Sequence, residues 1–165
     1  MYITGNREII SIINDLVRIN NDRIQWYARA LQVLVLKPED RDLESVFAAN
    51  KRKIECHNAF LAEEVRDLGV EETTGRADAT AGADAIASAD TADANGLAGA
   101  SFFKGDNRHA MLINCECGEL AAQRAYQAAL ENPHLPGYLQ ELLGVQREEL
   151  EKIYRRIGAL KITAF

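Results

Sequence analysis

Apolar residues recur at alternating spacings of three and four along four segments of the chain, which is the period of an amphipathic α-helix. No segment shows the strict alternation of apolar and polar positions that indicates a strand. The predicted helices, numbered 1 to 4 in chain order, span residues 6–36, 42–68, 107–131 and 138–160. We therefore expect an all-α protein in which residues 1–165 form one domain.

The connections between these helices predict how they are arranged. Pro38 stops helix 1, Asp42 caps the start of helix 2, and Gly69 ends helix 2. Short loops join helices 1 and 2 and helices 3 and 4, so each pair forms an antiparallel hairpin. The segment between the hairpins, about 70–105, is long enough to cross the whole bundle. We predict an antiparallel four-helix bundle with a long crossover between helices 2 and 3.

Charge and composition exclude several classes of protein. The crossover is rich in alanine and aspartate, and from Val70 to Phe103 its six acidic residues and one basic residue account for five of the six excess negative charges. A net charge of −6 argues against a nucleic-acid partner. The apolar runs are too short to cross a membrane, and no export signal is visible. With three cysteines that lack metal-ligand spacing, these features favour a cytoplasmic protein.

The apolar stripes define the surfaces that we expect to face the core. The stripe of helix 1 consists of Ile10, Ile13, Val17, Asn20, Ile24, Tyr27, Leu31 and Leu34. The stripe of helix 3 consists of Leu112, Cys115, Glu119, Ala122, Tyr126 and Ala129. Helices 2 and 4 carry similar stripes. In each of the four stripes one polar residue lies near the middle of the helix: Asn20, His57, Glu119 and Gln146.

In a bundle these four polar residues meet at one level. Burial of all four without partners would cost at least a few kcal/mol, so they must bond to one another, bind water or hold an ion. Tyr27 follows Asn20 by seven positions, and Tyr126 follows Glu119 by the same interval. This spacing indicates that the two hairpins are versions of one unit.

Short motifs around these residues point to a family. They are Asp22-x4-Tyr27 on helix 1, Leu68-Gly69 at the end of helix 2 and Glu116-x-Gly118-Glu119-x6-Tyr126 on helix 3. With them the chain resembles the ferritin-like superfamily, and more closely a bacterial family of ferritin-like four-helix proteins of unknown function. The resemblance implies a centre for two iron or manganese ions, in which helices 1 and 3 each supply a carboxylate and helices 2 and 4 each supply a Glu-x-x-His pair.

Several ligand positions depart from that pattern. They read Asn20 on helix 1, Ile54-x-x-His57 on helix 2, Glu119 on helix 3 and Gln146-x-x-Glu149 on helix 4. Half the ligands are missing or neutral, which disfavours a dinuclear oxidase. One divalent ion, iron, manganese or zinc, is feasible, with His57, Glu119, and Glu149 or Glu116 as ligands. Its hydrogen-bond partners would be Asn20, Tyr27, Tyr126 and Gln146. A hydrogen-bonded layer without metal is the favoured alternative.

Helix 1 carries a second apolar stripe, which recurs every seven residues and points away from the first. It consists of Ile12, Ile19, Trp26 and Val33. An exposed stripe of this kind is unusual on a monomer, so we expect it to be covered either by the crossover or by a second copy of the chain. A two-fold homodimer is the favoured arrangement.

Two functions remain open from the sequence. The chain has no Gly-rich phosphate loop, nucleophile elbow or Glu-x-x-His pair, which favours a protein that is not an enzyme. We therefore expect a non-catalytic or weakly metal-binding bundle that acts through association with itself or with a partner. The alternative is a redox or metal-handling protein related to rubrerythrins and ferritins.

Overall fold

A computed structural model describes residues 2–72 and 108–163, which form helices and short connections. Within these ranges the helices are α1 (Tyr2–Leu34), α2 (Arg41–Glu72), α3 (Arg108–Leu130) and α4 (Gly137–Thr163), and a 3-10 turn, Pro38–Asp40, precedes α2. The prediction of an all-α protein is confirmed for this part of the chain, which contains no strand. Most of the predicted crossover lies outside the described residues. No described helix combines the length and apolar character that crossing a bilayer requires.

The helix ends follow local backbone chemistry, with two exceptions. The prediction that Asp42 caps α2 is wrong, because the helix begins at Arg41 and Asp42 lies within its first turn. After α1 the backbone tightens, and the amide of Lys37 donates to the carbonyl of Leu34 at 2.9 Å before Pro38 begins the 3-10 turn. The prediction that Gly69 ends α2 is wrong, because the helix continues to Glu72. A glycine inside a helix costs only about 0.5–1 kcal/mol relative to alanine, which the packing of the buried neighbour Leu68 can offset.

Side-chain contacts establish the relative directions of the helices within each hairpin. Asn58 on α2 bonds to the carbonyl of Val17, whereas Asn50, earlier on α2, lies beside Tyr27, later on α1. Sequence numbers thus rise along one helix as they fall along the other. The same holds for α3 and α4, where Tyr126 contacts Gln146 and the earlier Glu116 contacts the later Lys161. Both hairpins are antiparallel.

Further contacts join the two hairpins. Tyr126 of α3 contacts Asn20 of α1, and the earlier Cys115 contacts the later Tyr27, so α1 and α3 are also antiparallel. Arg108, the first residue of α3, bonds to Asp42 in the first turn of α2 at 2.8 and 3.0 Å. The starts of α2 and α3 therefore lie side by side, and these two helices point in the same direction.

The core consists of two apolar clusters on either side of a polar layer. At the end of the bundle that holds the α3–α4 loop, the cluster comprises Ile9, Ile13, Leu16, Leu61, Leu68, Ala122, Tyr126, Ala129, Leu135, Leu139, Leu143 and Leu150. At the end that holds the α1–α2 loop, it comprises Tyr27, Ala30, Leu34, Leu43, Val46, Phe47, Ile54, Met111, Leu112, Cys115, Ile153 and Ile157. The polar layer between them positions the candidate site.

The predicted core stripes are right for α3 and half right for α1. All six predicted residues of α3 are buried. On α1 the buried face is Ile9, Ile13, Leu16, Asn20, Arg23, Tyr27, Ala30 and Leu34, which shares only Ile13, Asn20, Tyr27 and Leu34 with the prediction. The other predicted positions are only partly buried. Apolar residues occur on more than one face of α1, so spacing alone did not select the buried one.

Candidate functional site

An arginine and a glutamate form an ion pair in the middle of the bundle. Arg23 of α1 and Glu119 of α3 are only 5% and 1% exposed. The guanidinium of Arg23 donates from Nε to Oε1 of Glu119 at 3.2 Å and from its second terminal nitrogen to Oε2. Its other terminal nitrogen donates to Oδ1 of Asn20 at 2.8 Å. This two-pronged pairing neutralises the carboxylate of Glu119 at the centre of the polar layer.

Tyr27 extends this pair toward the α1–α2 loop. Its hydroxyl donates to Oε1 of Glu119 at 2.8 Å and lies 3.1 Å from the sulfur of Cys115. Because the single hydroxyl hydrogen goes to Glu119, the Cys115 thiol is the donor in the second contact. Burial, reinforced by the negative charge of Glu119, holds the pKa values of Tyr27 and Cys115 well above their usual range. Both groups are therefore neutral near pH 7.

Tyr126 extends the network in the opposite direction. The amide of Asn20 donates to its hydroxyl at 2.9 Å, and the hydroxyl donates to Oε1 of Gln146 at 2.7 Å. The amide of Gln146 then donates to the backbone carbonyl of His57 at 3.3 Å. Together with Arg23, these contacts form one continuous network that connects all four helices.

His57 joins this network through its backbone, and its imidazole stands apart. Within the described part of the chain, Nδ1 is buried and has no hydrogen-bond partner. Burial, reinforced by the positive charge of Arg23, lowers the pKa of His57 to about 4, although Glu149 acts in the opposite direction. The imidazole is consequently neutral at physiological pH.

Each carboxylate that the sequence identified as a metal ligand has a basic partner. Glu119 pairs with Arg23, while Glu149 lies 2.6 Å from the amine of Lys53 on α2. Lys53 lowers the pKa of Glu149 through this hydrogen bond. Glu116 points away from the layer and lies 2.6 Å from the amine of Lys161. Among residues 2–72 and 108–163, no group of three His, Cys, Asp or Glu side chains has a geometry suited to a metal ion.

The structure thus brings together five of the predicted layer residues and adds two that sequence reasoning did not place in the layer. The side chains of Asn20, Tyr27, Glu119, Tyr126 and Gln146 share one network, to which the structure adds Arg23 and Cys115. A signal for Arg23 was present in the sequence. It lies three residues after Asn20 and four before Tyr27, which places it on the same helical face.

A cleft of about 410 Å³ opens between α1 and α3 beside the ion pair. Its walls include Asp22, Arg23, Trp26, Cys115, Gly118 and Glu119. The buried ion pair lies at the inner wall, whereas Gly118 is exposed at the mouth. The cleft therefore gives access from the surface to the centre of the network.

The residues predicted for an interface on α1 are partly buried in the structure. Ile12 and Ile19 pack against the cluster near the α3–α4 loop, and Trp26 and Val33 pack against the other cluster. The indole of Trp26 makes edge-to-face contacts with Tyr27 and Phe47, with ring centres 5.4 and 5.5 Å apart. This stripe supports the fold, and its contact with a second copy stays a prediction.

No protein-family model matches the chain, and a search of curated proteins gives no match. Functional conclusions therefore depend on the geometry of the network, the paired carboxylates and the cleft.

Proposed function

We propose that this protein is a non-catalytic, ferritin-like bundle that acts through association with itself or with a partner. In this proposal the guanidinium of Arg23 takes the place of a metal ion at the centre of the bundle. The observation that carries it is the two-pronged hydrogen bonding of Arg23 to Glu119. A metal bound to Glu119 would have to displace a buried cation that cannot lose its charge at any ordinary pH.

The arrangement of the helices supports the ferritin-like part of the proposal. The starts of α2 and α3 are joined through Arg108 and Asp42, so both helices run in the same direction. Helices that follow each other and point the same way need a connection that returns along the bundle. Ferritin-like folds use one such long connection between two antiparallel hairpins.

The apolar surface supports association. Phe60 on α2 is 56% exposed and Val145 on α4 is 58% exposed, and both lie near the contact between Gln146 and the carbonyl of His57. Large exposed apolar side chains of this kind are available for contact with another protein surface. We favour a two-fold homodimer, because symmetric pairs are the commonest oligomers.

A cytoplasmic location belongs to the same proposal. Cys56, Cys115 and Cys117 are free, and two of them are exposed. Exposed free thiols are typical of proteins kept in a reducing compartment. The acidic net charge of −6 further supports a role without nucleic acid.

One observation favours a metal-handling function as the second candidate. The neutral imidazole of His57 has no partner on Nδ1 within the described residues, and Glu149 is close enough to influence its pKa. A neutral imidazole and a carboxylate are suitable ligands for a divalent ion, completed by water. This site would not involve Glu119, so its ligands differ from those of the ferritin-like centre.

Elemental analysis with light scattering distinguishes the two functions. The protein would be purified without a His-tag or chelator after growth with iron, manganese and zinc, next to His57→Ala, Glu149→Ala and the exposed control Glu148→Ala. We expect background metal in all four proteins and the molar mass of a dimer. Stoichiometric metal that is lost in His57→Ala and Glu149→Ala, but retained in Glu148→Ala, would establish the metal-handling alternative. A monomer at all concentrations would contradict self-association.

A further inference from the structure

The cleft between α1 and α3 has the dimensions and the inner wall of a small-molecule site. Its volume of about 410 Å³ lies within the range of pockets that enclose small ligands. Arg23 and Glu119, both more than nine-tenths buried, lie at its inner wall. The cleft therefore combines space for a ligand with fixed polar groups that could orient it.

Arg23 determines which polar group would face this wall. Among the contacts of the described residues, its guanidinium uses three of five N–H groups, two for Glu119 and one for Asn20. The two remaining N–H groups are donors held in place by the network. A ligand that meets them would present an acceptor, such as a carbonyl oxygen.

The charges around the cleft indicate a ligand without net charge. Among the described residues of its walls, Asp22 and Glu119 provide two acids and Arg23 and Arg29 provide two bases, so these charges balance. A ligand with net charge would lose its hydration at a wall that holds no excess of the opposite charge.

The aromatic wall indicates the shape of the ligand. Trp26 lines the cleft, and its indole is fixed by edge contacts with Tyr27 and Phe47. Ile19 and Ala121 add apolar surface. A fixed ring beside aliphatic groups favours stacking with a flat molecule. We propose that the α1–α3 cleft binds an uncharged aromatic compound that carries a hydrogen-bond acceptor, a role that goes beyond association.

The probe for this site is prodan, an uncharged naphthalene ketone whose emission depends on its surroundings. Trp26 is the only tryptophan of the chain, so energy transfer from tryptophan to prodan reports binding near the cleft. 1-Anilinonaphthalene-8-sulfonate is the anionic counterpart of similar size. We expect saturable binding of one prodan per chain and weaker binding of the sulfonate. No saturable binding of prodan, or tighter binding of the sulfonate, overturns the proposal.

A pair of glycine substitutions locates the bound probe. A Cβ at Gly118 or at Gly144 would meet no atom within 4 Å, and both glycines lie inside helices, so Gly118→Leu and Gly144→Leu are expected to fold at least as well as the parent. Only Gly118 lines the cleft. We expect Kd for prodan to rise at least about tenfold in Gly118→Leu and to stay unchanged in Gly144→Leu. Equal Kd values in both variants would show instead that the probe binds elsewhere. A changed molar mass in Gly118→Leu alone would show that the cleft is an interface between two copies of the chain.

Discussion

Tyr27 and Tyr126 make reciprocal contacts across the interface between the two hairpins. Tyr27 donates to Glu119, which lies seven residues before Tyr126, and Tyr126 accepts from Asn20, which lies seven residues before Tyr27. The symmetry breaks three residues after each polar partner, where α1 has Arg23 and α3 has Ala122. Both are buried, but only Arg23 carries a charge. Arg23 thus bonds to the central polar residue of each hairpin, Asn20 in the first and Glu119 in the second.

Removal of either member of the central ion pair is expected to be costly. Arg23→Met leaves the carboxylate of Glu119 buried without its cation, and Glu119→Gln leaves a buried guanidinium without its anion. Each change should lower the free energy of unfolding by about 3–5 kcal/mol, measured by urea denaturation. The exposed control Arg124→Met should change it by less than about 0.5 kcal/mol. The double variant Arg23→Met/Glu119→Gln should cost no more than either single change, and additive costs would show that the two residues act independently.

The hydroxyl of Tyr126 should matter more than that of a tyrosine outside the layer. Tyr126→Phe removes the hydroxyl that donates to Gln146 and accepts from Asn20, and both of these partners are buried. We expect a loss of about 1–3 kcal/mol in the free energy of unfolding, because both amides lose a partner. Tyr154→Phe is the matched control, since its hydroxyl makes only a 3.5 Å contact with Glu116. Equal losses in the two variants would mean that the network contributes nothing beyond ordinary packing.

The stability of the protein should fall between about pH 6.5 and pH 4. Burial and the charge of Arg23 lower the pKa of His57 from 6.5 to about 4. In this window the imidazole of His57 binds a proton in the unfolded chain but not in the folded chain. The free energy of unfolding therefore decreases as pH decreases. The loss should be about 1–3 kcal/mol, since the imidazole retains some contact with solvent. Urea denaturation at several pH values in this window measures how the free energy of unfolding depends on pH. This dependence should be weaker for His57→Asn, and an unchanged dependence would place the titrating group elsewhere.

The contact between the starts of α2 and α3 should have a small, salt-dependent effect. Arg108 is partly exposed, and it bonds to Asp42 and to Asp40. We expect Arg108→Met to cost about 0.5–1 kcal/mol at low ionic strength, with a smaller difference in high salt. Arg155→Met removes an exposed pair within α4 and should cost less. Thermal denaturation at two salt concentrations measures both effects, and a cost that does not vary with salt would point to packing of the arginine stem.

Trp26→Glu tests the apolar stripe on α1. Its indole packs on the core and lies on the predicted dimer face, so a carboxylate there should lower stability and reduce the molar mass measured by light scattering. Arg29→Glu, one turn further along α1, is a control that changes charge without removing apolar surface. An unchanged molar mass together with unchanged stability would exclude a covered stripe.

The sequence was sufficient to predict the helices and most of the polar layer. In α3 all six predicted core residues are buried, although apolar residues such as Ile113 and Leu120 lie on its other faces. In α1, two stripes fit the same period, one with Val17, Ile24 and Leu31 and the other with Leu16, Arg23 and Ala30. Hydrophobicity favours the first, whereas the structure buries the second.

The choice between these stripes depends on a contact that is distant in sequence. Arg23 is buried because Glu119, 96 residues later, supplies its counterion. An isolated arginine would be assigned to the surface, since burial of an unpaired charge is costly. The prediction that Glu119 is a metal ligand fails to include Arg23 for the same reason. The spacing of apolar residues along α3 shows that the carboxylate faces inward, but it does not show which residue of another helix faces it.

The polar layer between two apolar clusters fixes the position of each helix along the bundle axis. If α3 slid by one turn, about 5.4 Å, Glu119 would leave Arg23 and face apolar side chains of one cluster or the other. Apolar contacts alone tolerate such a slide, since one leucine replaces another with little loss. A charged pair does not, and a single polar position in a helical assembly is known to fix register in this way. Arg23 and Glu119 would thus exclude misaligned bundles even if they added little to the stability of the correct one.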